Sequence, residues 1–173
     1  LPQAHLPHYE ALSVEPSVRA FAEQLRGMDL LEASYWLSSS YAMLADDHYR
    51  KRLAMFFTPA SLTRGLLDDL ADEGVDFGSH SFFDPACGGA AFLAPIALRM
   101  RKSLKQRGFS PRRVLAHVEA NLYGTDLDPI LCELSRQFLC MTLYAEIKGT
   151  GHVPMFKVHP ANSLQDLVGM FGT

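Results

Sequence analysis

The chain has 173 residues, 48% hydrophobic and 20% charged, with 12 Gly and 10 Pro, which is the composition of an ordinary globular domain and excludes a disordered chain. A formal net charge of −3 argues against a protein that coats nucleic acid by bulk charge. No apolar run approaches the ~20 residues that span a bilayer, and the opening LPQAHLPHYEALSVEP has neither the basic start nor the apolar stretch of a secretion signal. Cys87, Cys132 and Cys140 form no C-x-x-C pair, so neither a disulfide framework nor a metal site is expected, and a reducing cytoplasm fits best.

Residues 1–55 read as a helical region. Val18, Phe21, Ala22 and Leu25 make one apolar stripe, opened by Pro16-Ser17 and closed by Gly27. A second helix is predicted from Asp29 to about Ala45, carrying Leu30, Leu31, Tyr35, Leu37, Tyr41 and Leu44, with Asp29 as N-cap, Glu32 completing a capping box, and Ser38-Ser39-Ser40 weakening its middle. After Phe56-Phe57-Thr58-Pro59 the spacing resumes at Leu62, Leu66, Leu67 and Leu70, ending at Asp72-Glu73-Gly74.

From residue 80 the pattern changes. Ser81-Phe82-Phe83-Asp84 is a short strand candidate, followed by the small residues Pro85 to Ala91 and a helix with Leu93, Ile96, Ala97, Met100 and Leu104 on its apolar face. Ser110-Pro111 opens a helix to about Asn121, and Leu122-Tyr123-Gly124-Thr125-Asp126 is a second strand. Asp128-Pro129 caps a helix with Ile130, Leu134, Phe138 and Met141; Met155-Phe156-Lys157-Val158 is a third strand, and Ser163 to Val168 a helical turn. Strands alternating with helices predict an α/β fold with a doubly wound, mainly parallel sheet. Seven of the sixteen basic residues fall between Arg99 and Arg113 with no acid among them. A solvated helix face, with Arg101 and Lys105 exposed, is the expectation for them.

A turn of small residues between a parallel strand and a helix lets a ligand approach the backbone, since no Cβ blocks it and the N–H groups of the helix start point outward. Residues 84–91 have that build. A carboxylate at the end of the next strand, here Asp126, can accept both hydroxyls of a ribose.

The sequence Phe57-Thr58-Pro59, then Asp84-Pro85-Ala86-Cys87-Gly88-Gly89-Ala90-Ala91-Phe92-Leu93, then Tyr123-Gly124-Thr125-Asp126-Leu127-Asp128-Pro129, in that order, resembles the S-adenosylmethionine-binding motifs of adenine-specific (N6) DNA methyltransferases of restriction-modification systems, either type I methylation subunits or related single-chain enzymes. The resemblance spans residues ~56 to ~166 and implies an S-adenosylmethionine-dependent methyltransferase fold over residues 56–173 behind the helical cap. It implies that Thr58 holds the methionine carboxylate with Phe57 packed nearby, that Asp84 stands close to the methionine amino group, and that Ala86, Gly88 and Gly89 form the floor under the cofactor. It further implies that Asp126 binds the ribose, that Leu127 lies against the adenine ring, and that Asn162 accepts from the adenine amino group where the family usually has an acid. Cys87 reads as a buried filler and Asp128 as a helix cap.

Two departures stand out. Ala90 replaces a second glycine of the motif, and the family's catalytic Asn-Pro-Pro-aromatic tetrapeptide occurs nowhere in the 173 residues. Phe82, Phe83, Phe92 and Phe138, the aromatics that remain, are expected to be buried. The expectation is therefore the cofactor-binding part of a methyltransferase, truncated before its catalytic motif and without transfer activity by itself. DNA, and specificity or restriction subunits, would be engaged by parts outside this chain. Alternatives are an RNA or protein-glutamine methyltransferase of the same fold, or an inactive cofactor-binding or assembly module.

Overall fold

The computed structural model describes residues 16–165. The side chain of Val18 and the end of the predicted C-terminal turn, residues 166–168, lie outside the described residues, while residues 163–165 are helical. The elements run α1 (Pro16–Arg26), α2 (Leu30–Leu44), α3 (Asp47–Arg52), α4 (Ala60–Asp72), β1 (Phe82–Asp84), α5 (Leu93–Gln106), α6 (Pro111–Asn121), β2 (Leu122–Asp126), α7 (Pro129–Thr142), α8 (Tyr144–Thr150) and β3 (Lys157–Pro160).

Local chemistry sets most helix starts. Asp29 accepts the amides of Leu31 and Glu32 at 2.9 and 3.1 Å, Ser110 that of Arg113, and Asp128 that of Ile130 at 2.7 Å, each satisfying a donor that has no partner inside its helix. Helix α4 differs, starting after Pro59 with no side-chain cap.

The three strands form a parallel sheet in the order β1-β2-β3, with Asp84 opposite Gly124 and Gly124 opposite Val158. The crossover helices α5 and α7 pack on each other. Parallel strands joined by helices agree with the sequence reading. The strand order runs in one direction, and the strand beyond β1 that a doubly wound sheet requires is not among the described residues. Leu93, Met100, Leu115, Val118, Leu139 and Val158 are almost wholly buried between sheet and helices, each stabilising the fold by roughly 1.5–3 kcal/mol of transfer free energy.

Three sequence expectations are corrected. Phe83 is 42% exposed while Phe82 stacks on Phe77 with ring centroids 5.1 Å apart, because neighbouring strand residues face opposite sides of a sheet. Along α4 the buried row is Thr63 and Leu67, and Leu62, Leu66 and Leu70, one helical row away, are exposed. The third strand lies two residues later than expected, since its register places Val158 beside Gly124.

The basic stretch is solvated at Lys102, Lys105, Arg107, Arg112 and Arg113, as expected, while Arg101 is half-buried, and several of its cations are paired. Arg101 Nε and Lys105 Nζ reach Oε1 of Glu146 on α8 at 2.8 and 2.9 Å, Arg99 pairs with Asp68 and Arg107 with Asp76. Glu146 is only 1% exposed. Burial pushes its carboxyl up, but bonds from Lys105 and Arg101 outweigh that and hold it below the usual carboxylate range.

The N-terminal helices are fastened to α7 by Asp128. Beyond its cap bond, its buried carboxylate accepts the hydroxyls of Tyr41 (2.8 Å, α2) and Tyr49 (3.3 Å, α3). Burial, then the hydrogen bond to Asp128, pushes the Tyr41 phenol up, so it stays a donor.

Candidate functional site

Because β1 and β2 are parallel, their last residues, Asp84 and Asp126, reach the same edge of the sheet. The loop from Pro85 to Phe92 crosses this edge and is sewn to its surroundings. The amide of Cys87 donates to the carbonyl of Thr125 at 2.9 Å, the Thr125 hydroxyl to the carbonyl of Pro85 at 3.1 Å, and the Ser135 hydroxyl, from α7, to the carbonyl of Gly88 at 2.8 Å. Asp126 closes the arrangement, its Oδ2 accepting the Gly88 amide and its Oδ1 the Asp128 amide, both at 2.9 Å. One lone pair on each carboxylate oxygen remains for a further donor.

The loop needs small residues for separate reasons. Gly88 has φ +49° and Ala90 φ +68°, the left-handed region that costs a residue with a Cβ roughly 1–2 kcal/mol. A Cβ on Gly124 would stand 2.6 Å from Cδ1 of Leu93 and 3.3 Å from Cys87, so α5 and the loop can approach β2 only over glycine. On Gly89 it would meet the hydroxyl of Ser38 at 1.7 Å.

Beside this edge opens a cleft of about 440 Å³, within the range of small-molecule sites. Its lining comprises residues 53–57, then Pro85, Ala86 and Gly88 of the loop, then Asp126, Leu127 and Leu131, and at the C-terminal end residues 161–164. The amide of Ala161 donates to the carbonyl of Asp126 at 2.9 Å, tying that end to the sheet.

Of the nine residues singled out in the sequence, Phe57, Ala86, Gly88, Asp126, Leu127 and Asn162 line this one cleft. Thr58 and Gly89 lie elsewhere, around a small separate cavity against α2 whose wall also includes Phe57. Gly89 thus faces Ser38 on α2. Asp84 does not line the cleft. It bonds the amide of Ala86 at 3.1 Å, and burial, reinforced by the charge of Asp126, pushes its carboxyl up against the pull of that amide. A nearby cation would relieve this cost. Cys87 is buried, and the adjoining Cys132 thiol together with burial pushes its own thiol up. That suits a packing residue and not a nucleophile.

Sequence reasoning missed several contributors, among them Met55 and Leu131, which line the cleft, and Ser135, which donates to the Gly88 carbonyl. Leu131 and Ser135 sit at i, i+4 on α7, a spacing that places both on one face of the helix beside the loop.

Among the described residues no helix is long and apolar enough to cross a membrane, and no group of three or more His, Cys, Asp or Glu side chains could hold a metal ion. No family model matches the chain. Over 103 residues, 60% of its length, the chain is 29% identical to a type II methyltransferase, M.VspI, of Vibrio sp. (strain 343), and this spans 21% of that protein, so the chain corresponds to about a fifth of the relative. The likeness supports an enzyme family of methyltransferases.

Proposed function

We propose that the chain is the S-adenosylmethionine-binding portion of an adenine-N6 DNA methyltransferase of a restriction-modification system, with residues 56–173 assigned to the cofactor-binding part and residues 1–55 to an N-terminal region whose described helices, α1 to α3, precede it. The observation that carries the reading is that the Asp126 carboxylate opens on the same cleft as Gly88 and Leu127, in a chain similar to a methyltransferase. The donor set fits the group. Asp126 keeps lone pairs for two ribose hydroxyls, Leu127 offers an apolar face to the adenine, and the amide oxygen of Asn162 suits the adenine amino group. Asp84, held above its usual range by burial, suits the cationic ammonium of the amino-acid end. When bound, the cofactor supplies a methyl group activated by a sulfonium. The rest of the work, extruding a base and aiming its amine at that methyl, needs acceptors and a stacking ring. We assign these, with DNA binding and any specificity or restriction subunits, to parts outside this chain, in a cytoplasmic enzyme whose complete sheet is doubly wound.

Calorimetry with S-adenosylhomocysteine tests the reading. We expect a 1:1 complex, with Asp126→Ala losing roughly 1–3 kcal/mol of binding through unpaired ribose hydroxyls. No heat at millimolar ligand, with heat appearing on addition of a nicotinamide dinucleotide, would place the chain among dehydrogenases instead.

A further inference from the structure

Beside the cleft lies a cavity of about 10 Å³, room for a single oxygen atom and its hydrogens. Ser34, Tyr35 and Ser38 of α2, Thr58, Ala60 and Gly89 line it. Ser38 is 1% exposed, and its hydroxyl has no hydrogen-bond partner among the described residues. Its neighbour one turn earlier behaves differently. The Ser34 hydroxyl donates to the carbonyl of Leu31 at 2.8 Å, which satisfies it within its own helix. The same cavity receives the N-terminus of α4, a 13-residue helix with no side-chain cap, whose first amides, beginning with Ala60, carry partial positive charge. No charged side chain lines the cavity. Hydroxyl and amide donors without an acid among them suit an anionic oxygen.

The cavity and the cleft are neighbours with one lining residue in common. Phe57 lines both, and Gly88 in the cleft is followed by Gly89 in the cavity, where the missing Cβ leaves room for the Ser38 hydroxyl. We propose that Ser38 is a further binding residue of the cleft's ligand, its hydroxyl donating to one oxygen of the carboxylate at the ligand's amino-acid end. This rests on the reading that an S-adenosyl compound occupies the cleft. It gives α2, which carries none of the recognised motifs, a direct part in binding.

The test measures the dissociation constants of S-adenosylhomocysteine and of 5′-deoxy-5′-methylthioadenosine, which lacks the amino-acid end, for the intact protein and its Ser38→Ala and Asp126→Ala variants. The thermal midpoint of each ligand-free protein is recorded alongside. Ser38→Ala is expected to weaken S-adenosylhomocysteine roughly tenfold or more, as for a hydrogen bond to a charged group, to leave methylthioadenosine unchanged, and to leave the midpoint equal or higher, since an unpartnered buried hydroxyl is removed. Equal weakening of both ligands, or a lowered midpoint, would mean that the hydroxyl serves the fold, through a buried water for instance, and overturns the proposal. Unchanged affinity in Ser38→Ala beside weakened affinity in Asp126→Ala overturns the role of Ser38 alone. Undiminished affinity of Asp126→Ala for both ligands overturns the reading of the cleft, and the role of Ser38 with it.

Discussion

The molecule holds carboxylates in two contrasting ways. On the α5–α8 side, Glu146 is buried with two cations on one oxygen. At the C-terminal edge of the sheet, Asp84 and Asp126 stand close together, bonded to the backbone amides of Ala86, Gly88 and Asp128, and neither is in an ion pair among the described residues. A buried charge neutralised by cations of its own protein joins the elements that carry them, here α5 and α8, even though Oε2 of Glu146 has no hydrogen-bond partner among the described residues. Two carboxylates kept near each other without a cation cost stability, and a ligand with hydroxyls and an ammonium recovers that cost. On the proposed function, that difference is what sets the acids of the sheet edge apart from a purely structural one.

The comparison breaks most visibly at Glu146. Replacing both Arg101 and Lys105 by Met leaves its carboxylate buried and unpaired, and we expect a loss of about 3–5 kcal/mol, read from denaturant unfolding. Because the folded carboxyl lies below its unfolded value of about 4.3, this pairing contributes stability above that pH and loses it as pH falls through the folded value. A charge reversal at Arg101 and Lys105 is therefore a test of folding and not of DNA contact. A double variant as stable as the parent would show that Glu146 finds water when its partners leave.

A smaller loss is expected at the glycine turn. Gly89→Ala drives a methyl to within 1.7 Å of the Ser38 hydroxyl, an overpacking that costs roughly 1–3 kcal/mol. Adding Ser38→Ala removes the nearest atom, and partial recovery in the double variant is the expected sign of direct contact.

These two sites also show what a sequence can convey. The caps at Asp29, Ser110 and Asp128 were legible because the acceptor and its amides lie within three residues. The cleft-lining residues Gly88, Asp126 and Leu127 were legible because strand, turn and helix follow in order. The partnership of Arg101 and Lys105 with Glu146 was not, since it spans more than 40 residues and α8 lacks a capping motif. Nor was the direction in which Gly89 faces, which depends on where α2 packs. The two tyrosines on Asp128 were hidden for the same reason: an N-cap reads locally, while its second oxygen is used by residues 79 and 87 positions away.

The acids at the sheet edge give a pH signature. Asp84 titrates above its ordinary value, and a bound ammonium would lower that value. S-adenosylhomocysteine binding should therefore weaken as pH falls through the raised value, with a proton released on binding in that range. Calorimetry in buffers of different ionisation enthalpy measures the release. Proton uptake, or none across pH 4–7, would remove Asp84 from the amino-acid end of the ligand.

The smallest effect is expected at Ala90, where the sequence departs from the glycine of the motif it resembles yet keeps a left-handed backbone. Ala90 has φ +68° and no exposed surface, so the left-handed turn is kept at a cost of roughly 1–2 kcal/mol. Ala90→Gly relieves that strain but gives up about 0.8 kcal/mol of buried methyl and adds about 0.5–1 kcal/mol of unfolded-chain freedom. The terms nearly cancel, and we expect a stability within about 1 kcal/mol of the parent. Ala97→Gly provides the control. That residue is equally buried but lies inside α5, where the same substitution loses a methyl and about 1 kcal/mol of helix propensity with no strain to relieve. It should therefore cost about 2 kcal/mol, and the gap between the two variants measures the strain stored beside the cleft. Equal losses at both positions would mean that Ala90 stores none, and that the glycine of the motif serves approach to the ligand and not the turn.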